Sequence, residues 1–156
     1  MNEDEHIKWR DIIGDFMLKI SEVEAELNIL IYDFIPSNEI QDRLNKQFKE
    51  RANDSLILID GLNINNKLKK RLKRSINELI KLADNTRNLI AHNPLNLSLE
   101  SLFERQEYLE IRSYRNTDKT VTYSDLKSRY EELCLWSENL KNDLFHTRRL
   151  LLPEEA

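Results

Sequence analysis

Apolar residues recur every three or four positions over long stretches of the chain, and this spacing restricts the fold more than any other feature. The first series lies between His6 and Ile35 and is followed by Pro36. Such spacing puts the apolar side chains on one face of an amphipathic helix, which proline cannot continue. The series comprises Trp9, Ile13, Phe16, Met17, Ile20, Val23, Leu27, Leu30, Ile31 and Phe34. The sequence therefore predicts a long first helix.

Two more helices are predicted before residue 94. Ser37 is a suitable N-cap for the second, which carries Ile40, Leu44 and Phe48, breaks near residues 53–54 and ends at Gly61. The third runs from about Asn65 to His92. Its apolar side contains Leu68, Leu72, Ile76, Leu79, Ile80, Ala83 and Ile90. Pro94 disfavours helical geometry at the preceding residue, so the third helix is expected to stop sharply.

The last third of the chain predicts a small hairpin and a final helix. The segment "LSLESLFERQ" is expected to form a short helical turn, after which "EYLEIRSY" and "KTVTYS" flank the polar "RNTD" with partial alternation and β-favouring residues. Thr122 or Ser124 is the expected N-cap of the last helix. Its apolar stripe comprises Leu126, Tyr130, Leu133, Trp136, Leu140 and Leu144.

These elements define the predicted fold class. The chain of 156 residues contains only two glycines and three prolines, which is typical of long helices joined by short turns. We expect an all-α protein, an antiparallel helical bundle of four to five main helices with a small β-hairpin before the last helix. Residues 1–156 are expected to form a single domain with a frayed tail at 150–156.

Composition also limits the cellular setting and the chemistry. The one cysteine, Cys134, cannot form an internal disulfide, no apolar run is long enough for a membrane span, and the acidic N-terminal end lacks the features of a signal peptide. We expect a cytoplasmic protein without membrane contact. The sequence has no Walker loop and no dinucleotide-binding glycine motif, and we predict neither a cofactor nor a metal site.

The end of the third helix carries the residues with the clearest chemical meaning. Arg87 lies on the apolar side of the predicted helix. A guanidinium in that position requires a carboxylate, a backbone carbonyl or a phosphate as partner. Asn88 and His92 are four residues apart, so the Asn88 amide is placed to orient the imidazole. The carbonyl end of the helix favours a protonated imidazole. On a straight helix Arg87 and His92 lie about 140° apart, and the sharp stop at Pro94 is expected to let both reach one ligand.

The hexapeptide Arg87-Asn88-Leu89-Ile90-Ala91-His92 resembles the signature of the HEPN family of helical-bundle proteins. The long first helix, the strand-rich stretch with a polar turn and the last helix opened by "TYSDL" are also similar to bacterial members, so the resemblance spans most of the chain. The chain departs from many relatives in having Asn93-Pro94 in place of glycine after the histidine. It also lacks the tyrosine at position 94 that marks members modified by a partner nucleotidyltransferase.

The resemblance implies a metal-independent endoribonuclease of a toxin–antitoxin or phage-defence system. Arg87, Asn88 and His92 would be the catalytic residues, in a cleft shared by the two subunits of a homodimer, with RNA as the substrate and 2′,3′-cyclic phosphate as the product. An antitoxin or a neighbouring defence protein would be a further partner. From the residues alone, His92 as a helix C-cap and Arg87 as a buried ion-pair partner remain the alternative, in a noncatalytic module that binds a protein or nucleic acid.

A basic run precedes the motif on the same predicted helix. Residues 64–90 carry eight lysines and arginines against two acidic residues, whereas the whole chain has a net charge of −4. The predicted RNA-binding residues share one helical face and are Lys67, Lys70, Arg71 and Arg74. A solvated surface with no ligand is the alternative for this face.

Overall fold

The computed structural model describes residues 3–93, 95–97, 109–113, 115 and 119–152. Its helices are α1 (Glu3–Phe34), α2 (Ile40–Leu44), α3 (Phe48–Asp60), α4 (Asn66–Leu82), α5 (Asn88–His92) and α6 (Tyr123–Leu151). A π-helical turn (Ala83–Arg87) joins α4 to α5, and the strands are β1 (Leu95–Leu97), β2 (Leu109–Arg112) and β3 (Thr120–Thr122). The predicted all-α helical bundle with a small antiparallel hairpin before the last helix is confirmed.

Helices α1 and α6 lie side by side although they are far apart in the sequence. Near their N-terminal ends the Trp9 and Tyr123 rings meet edge to face, with centroids 5.8 Å apart. Near their C-terminal ends Arg148 Nε lies 2.6 Å from Asp33 Oδ2. The two helices therefore run in the same direction.

Helix α4 runs antiparallel to α6 and completes the packing against it. The guanidinium of Arg71 forms an ion pair with Asp143 near one end of the pair, and Arg129 Nη1 donates to Thr86 Oγ1 near the other. The apolar stripes of α1, α3, α4 and α6 meet in one buried cluster, as their three- and four-residue spacing predicts. Phe16, Leu72 and further side chains in this cluster have no exposed surface. This packing fixes α4 and the segment that follows it.

The second predicted helix is two helices, and the break differs from the expected place. The residue that precedes α2 as N-cap is Glu39 and not Ser37, and the chain breaks at 45–47 and not at 53–54. The Gln47 side chain and the N3 residue Glu50 form a reciprocal capping box, which starts α3 there. Gly61 follows α3 as its C-cap, as predicted.

Asp54 explains why the polar pair at 53–54 does not interrupt α3. Its carboxylate accepts from Lys46 Nζ at 2.9 Å and pairs with Arg43 Nη1 at 3.0 Å. Burial acts to raise the pKa of the Asp54 carboxyl, but the hydrogen bonds from Lys46 and Arg43 outweigh it and the pKa is lowered. The side chain is thus occupied by α2 and its C-terminal turn, and it does not compete for the backbone of its own helix.

The third predicted helix begins as expected but is not continuous to His92. The Asn65 side chain accepts from Leu68 N at 2.8 Å and caps α4. Ala83–Arg87 then form a π turn, in which each hydrogen bond spans one more residue than in an α-helix. The helical phase shifts, so that Leu89 is buried whereas Ile90 is only partly buried. The apolar spacing did not indicate this turn.

The predicted hairpin consists of β2 and β3, which pair antiparallel with Ile111 opposite Val121. The third strand, β1, pairs antiparallel with β2 and was not predicted. Residues 98–106, most of the segment expected to form a helical turn, lie outside the described residues, as do residues 153–156 of the expected tail. Leu151 still belongs to α6. Of the helices described, none is long and apolar enough to cross a membrane.

Thr122, one of the two predicted caps, opens α6. Its Oγ1 accepts from Asp125 N at 3.2 Å, while Asp125 Oδ2 accepts from Thr122 N at 3.1 Å. This reciprocal pair satisfies two backbone donors at the start of a helix of 29 residues.

We expect Thr122→Ala to lower the free energy of unfolding by about 1 kcal/mol, because it removes the cap oxygen from a buried site. Urea denaturation measures the change. Thr122→Ser keeps the oxygen and should recover most of the loss, and Ser128→Ala on the exposed side of α6 should have almost no effect. Equal losses in Thr122→Ala and Ser128→Ala would contradict a role for the cap.

Candidate active site

The guanidinium of Arg87 has the partner that the sequence required. Arg87 Nη1 lies 2.7 Å from Glu24 Oε1 of α1, and the Arg87 side chain is 39% exposed. Arg87 is therefore a half-exposed cation anchored at one nitrogen, and not the core-directed group that the helical spacing indicated. Because a guanidinium has five N–H donors, four remain for a ligand.

Glu24 also binds a second arginine. Its Oε2 accepts from Arg51 Nη2 of α3 at 3.1 Å, and Arg51 Nη1 donates to Asn28 Oδ1 at 2.6 Å. The Arg51 side chain is only 11% exposed, and Glu24 is 22% exposed. The partly buried carboxylate thus connects a buried arginine to the half-exposed Arg87, which holds the latter in a defined orientation.

His92 is the last residue of α5, and its side chain is exposed. The backbone becomes extended at Asn93, with φ −132° and ψ 139°, so the predicted sharp end is confirmed; Pro94 itself lies outside the described residues. Asn93 Nδ2 donates to the carbonyl of Leu89 at 2.9 Å. In the part of the chain that the structure describes, no hydrogen bond joins the exposed side chains of Asn88 and His92, in contrast to the expectation.

One open cleft brings the three motif residues together. Arg87, Asn88 and His92 border a cavity of about 470 Å³ between α1, the start of α3 and the π turn. The other lining residues are Met17, Glu24, Gln47, Phe48, Lys49, Arg51, Ala83, Asp84 and Ala91. Lys49 Nζ lies 2.9 Å from Asp84 Oδ2 at this cleft. A ligand in the cleft can therefore meet a guanidinium and an imidazole at the same time.

A second cleft borders the opposite side of the motif segment. Asn88 and His92 contribute to both clefts, so they form the ridge between them. The second cleft has a volume of about 480 Å³. On the side away from α5 it is bordered by Ser113, Arg115 and Lys119 of the hairpin. His92 is thus accessible from two directions.

The predicted RNA-binding face lies apart from the motif. Lys70 and Arg74 line a cleft of about 560 Å³ on α4, which shares none of its described lining residues with the Arg87 cleft. Arg71 forms its ion pair with Asp143, at 2.9 Å, and the Arg74 guanidinium lies over the Trp136 ring at 5.2 Å. Lys67 is exposed. Two of the four predicted cations therefore stabilise the contact between α4 and α6.

Sequence reasoning missed Glu24, Arg51 and Lys49 as residues of the cleft. Glu24 directly follows the buried Val23, and Arg51 directly precedes the buried Ala52. Charged residues at the border of an apolar stripe are often paired across helices, and this was the available signal. Which carboxylate meets which arginine depends on helix packing and cannot be read from spacing.

Among the described residues, no three His, Cys, Asp or Glu side chains are grouped so that they could hold a metal ion. No family model matches the sequence, and no characterised protein or solved structure was found to match it significantly. Function must therefore be inferred from the cleft and its residues.

Proposed function

We propose that the protein is a metal-independent endoribonuclease and that Arg87, Asn88 and His92 form its active site. The observation that supports this most directly is that all three residues border one open cleft. The Arg-to-His spacing, which is similar to that of HEPN ribonucleases, also supports the proposal. The activity would serve a toxin–antitoxin or phage-defence system in the cytoplasm, with an antitoxin or a neighbouring defence protein as the restraint.

Arg87 would stabilise the charge that develops on the phosphate. Attack of the 2′-oxygen on phosphorus produces a pentacoordinate phosphorane with additional negative charge on its equatorial oxygens. A cation that is already in position stabilises that charge without reorganisation. Glu24 anchors Arg87 through Nη1 alone, which leaves the other N–H groups for two phosphate oxygens. The carboxylate of Glu24 reduces the local positive charge, but it fixes the orientation of the Arg87 guanidinium.

His92 would transfer the protons. A neutral imidazole removes the proton of the 2′-hydroxyl as the new P–O bond forms, and a protonated imidazole gives a proton to the 5′-oxygen as the old bond breaks. The products are a 2′,3′-cyclic phosphate and a 5′-hydroxyl. Because each copy contributes one histidine at this cleft, a symmetric homodimer would supply both the base and the acid.

The direct test is incubation of the purified protein with single-stranded RNA in excess EDTA. We expect cleavage, with 2′,3′-cyclic phosphate ends identified by mass spectrometry, and a dimer by light scattering at micromolar concentration. Products with 3′-hydroxyl ends would exclude attack by the 2′-oxygen. A protein that cleaves RNA but remains monomeric would exclude the shared cleft.

A noncatalytic module that binds a protein or nucleic acid is the second candidate function. It is favoured by the ion pair between Arg87 and Glu24, which gives the arginine a charged partner without any ligand. The module predicts that neither the wild-type protein nor His92→Ala cleaves RNA. The ribonuclease predicts a clear difference between the two.

The exposed lysines of α4 are expected to add affinity for the RNA backbone. Lys67→Ala/Lys70→Ala should weaken binding of single-stranded RNA and reduce the slope of log affinity against log salt by about 0.7 for each phosphate that the variant no longer neutralises. Fluorescence anisotropy from 50 to 200 mM salt measures this slope. Lys8→Ala/Lys127→Ala, which removes the same charge elsewhere, is the matched control, and an equal change in both would contradict RNA binding by α4.

A further inference from the structure

We propose that the cleft between α5 and the β2–β3 hairpin binds the nucleotide next to the cleaved phosphodiester in single-stranded RNA, and that Arg115 and Lys119 hold its phosphate. The proposal rests on the proposed ribonuclease function and adds a second subsite to it. Neither residue belongs to the motif or to the basic face of α4.

The position of this cleft follows from the ridge that Asn88 and His92 form. Both residues border the Arg87 cleft on one side and the hairpin cleft on the other. A phosphodiester held between Arg87 and His92 would therefore have one of its neighbouring nucleotides in the hairpin cleft. Consecutive phosphates of one RNA strand would then meet Arg87 on one side of the ridge and the hairpin cations on the other.

The strands of the hairpin are fixed against the bundle. Ile111 and Val121 are paired across β2 and β3, and both are buried in the core cluster. Ser113 N donates to the carbonyl of Lys119 at 3.0 Å, which extends the pairing beyond the ends of the strands. Lys119 therefore directly precedes a strand that is fixed against the core, and Arg115 lies two residues beyond Ser113.

The charges of the cleft suit a phosphate. The side chains of Arg115 and Lys119 are exposed, and neither has a hydrogen-bond or ion-pair partner within the described residues. The acidic residue that lines the same cleft, Asp84, is paired with Lys49 at 2.9 Å. The two hairpin cations therefore remain available for an anionic ligand.

The polar groups of the cleft suit a nucleotide more than a simple anion. Besides the cations, its lining includes the amides of Asn85 and Asn88 and the hydroxyl of Ser113. Amide side chains both donate and accept hydrogen bonds, as the edges of nucleobases do. These edges are exposed in single-stranded RNA and largely concealed in an A-form duplex, which is why we assign a single strand.

The test measures binding in a background that cannot cleave. Arg115→Ala/Lys119→Ala is combined with His92→Ala, and a fluorescein-labelled single-stranded RNA of mixed sequence is titrated at 0.1 M salt. We expect an affinity roughly tenfold or more below that of His92→Ala alone, and a salt slope lower by about 0.7, because the one phosphate held by Arg115 and Lys119 is no longer neutralised. Lys127→Ala/Lys141→Ala in the same background removes equal charge from α6 and should change the affinity less than threefold.

Several outcomes would overturn this subsite. Unchanged affinity and slope in the hairpin variant would exclude it, whereas the ribonuclease would stand if His92→Ala still abolished cleavage. Poly-glutamate that competed for the cleft as well as RNA of equal charge would assign it to an acidic protein segment. If RNA bound through the hairpin cations but the wild-type protein did not cleave it, the cleft would be a binding site for single-stranded RNA, and both the ribonuclease and the subsite next to a cleaved phosphodiester would fall.

Discussion

His92→Ala is expected to lower the rate of RNA cleavage by about 10²- to 10⁴-fold, the usual contribution of a positioned general acid or base. In a homodimer the substitution removes both imidazoles from the shared site at once, so the loss should lie near the upper end. His92 is exposed at the end of α5, and truncation there leaves no cavity in the core. The free energy of unfolding should consequently change by less than about 0.5 kcal/mol. Cleavage is measured from initial rates on a labelled RNA, and stability by urea denaturation.

The matched control is His146→Ala, which removes an exposed histidine from α6. It should retain the wild-type rate, so the comparison separates the position of the imidazole from the general loss of a histidine. A His92→Ala protein that is folded, dimeric and as active as His146→Ala would exclude the proposed mechanism. Activity lost equally in both variants would indicate a general effect on folding and would contradict a specific role for His92.

Glu24→Ala is expected to lower the free energy of unfolding by about 2 to 4 kcal/mol, because it removes the carboxylate shared by two arginines. Most of the loss should come from Arg51, whose side chain is only 11% exposed and would retain Asn28 as its one polar partner. Arg87 is 39% exposed and can be solvated instead, so its share should be small. Urea denaturation gives the total change.

Glu22→Ala is the matched control for this prediction. Glu22 lies on the same helix and also forms an ion pair, with Lys19 at 2.6 Å, but its side chain is 63% exposed. Exposed pairs contribute about 0 to 1 kcal/mol, so the control should be much less destabilised. Similar losses for Glu22→Ala and Glu24→Ala would show that the shared carboxylate has no special role. Glu24→Gln keeps an acceptor for Arg51 and should fall between Glu24→Ala and the wild type.

Helical spacing and capping residues predicted most of the fold. The apolar stripe of α1, the start of α4 near Asn65, the stop at Gly61 and the pairing of β2 with β3 all depend on neighbours within a few positions, which the sequence displays directly. A break was predicted at 53–54 because Asn and Asp are unfavourable inside a helix, but the Asp54 side chain is held by Arg43 and Lys46. The break at 45–47 was missed because its capping box begins with Gln47, and not with the Ser or Thr that usually marks one. The π turn was missed because it changes the helical phase without any distinctive residue.

The candidate site also has one part that the sequence predicted and one part that it did not. Arg87, Asn88 and His92 were selected from spacing within one helical segment, and they do border one cleft. Glu24 is 63 residues from Arg87 and Arg51 is 27 residues from Glu24. Pairings over such separations depend on how α1 and α3 pack, and a single sequence does not show which residues of the two helices meet.

The side-by-side placement of α1 and α6 has a consequence for biosynthesis. The apolar stripe of α1 leaves the ribosome long before α6 exists to cover it, so it must stay in water or in contact with a chaperone until the last helix has emerged. Every described residue that lines the Arg87 cleft lies between Met17 and His92 and is synthesised before α6, but α1 and α4 pack against α6 in the same buried cluster. The cleft is therefore expected to reach its final geometry only after α6 has joined the bundle.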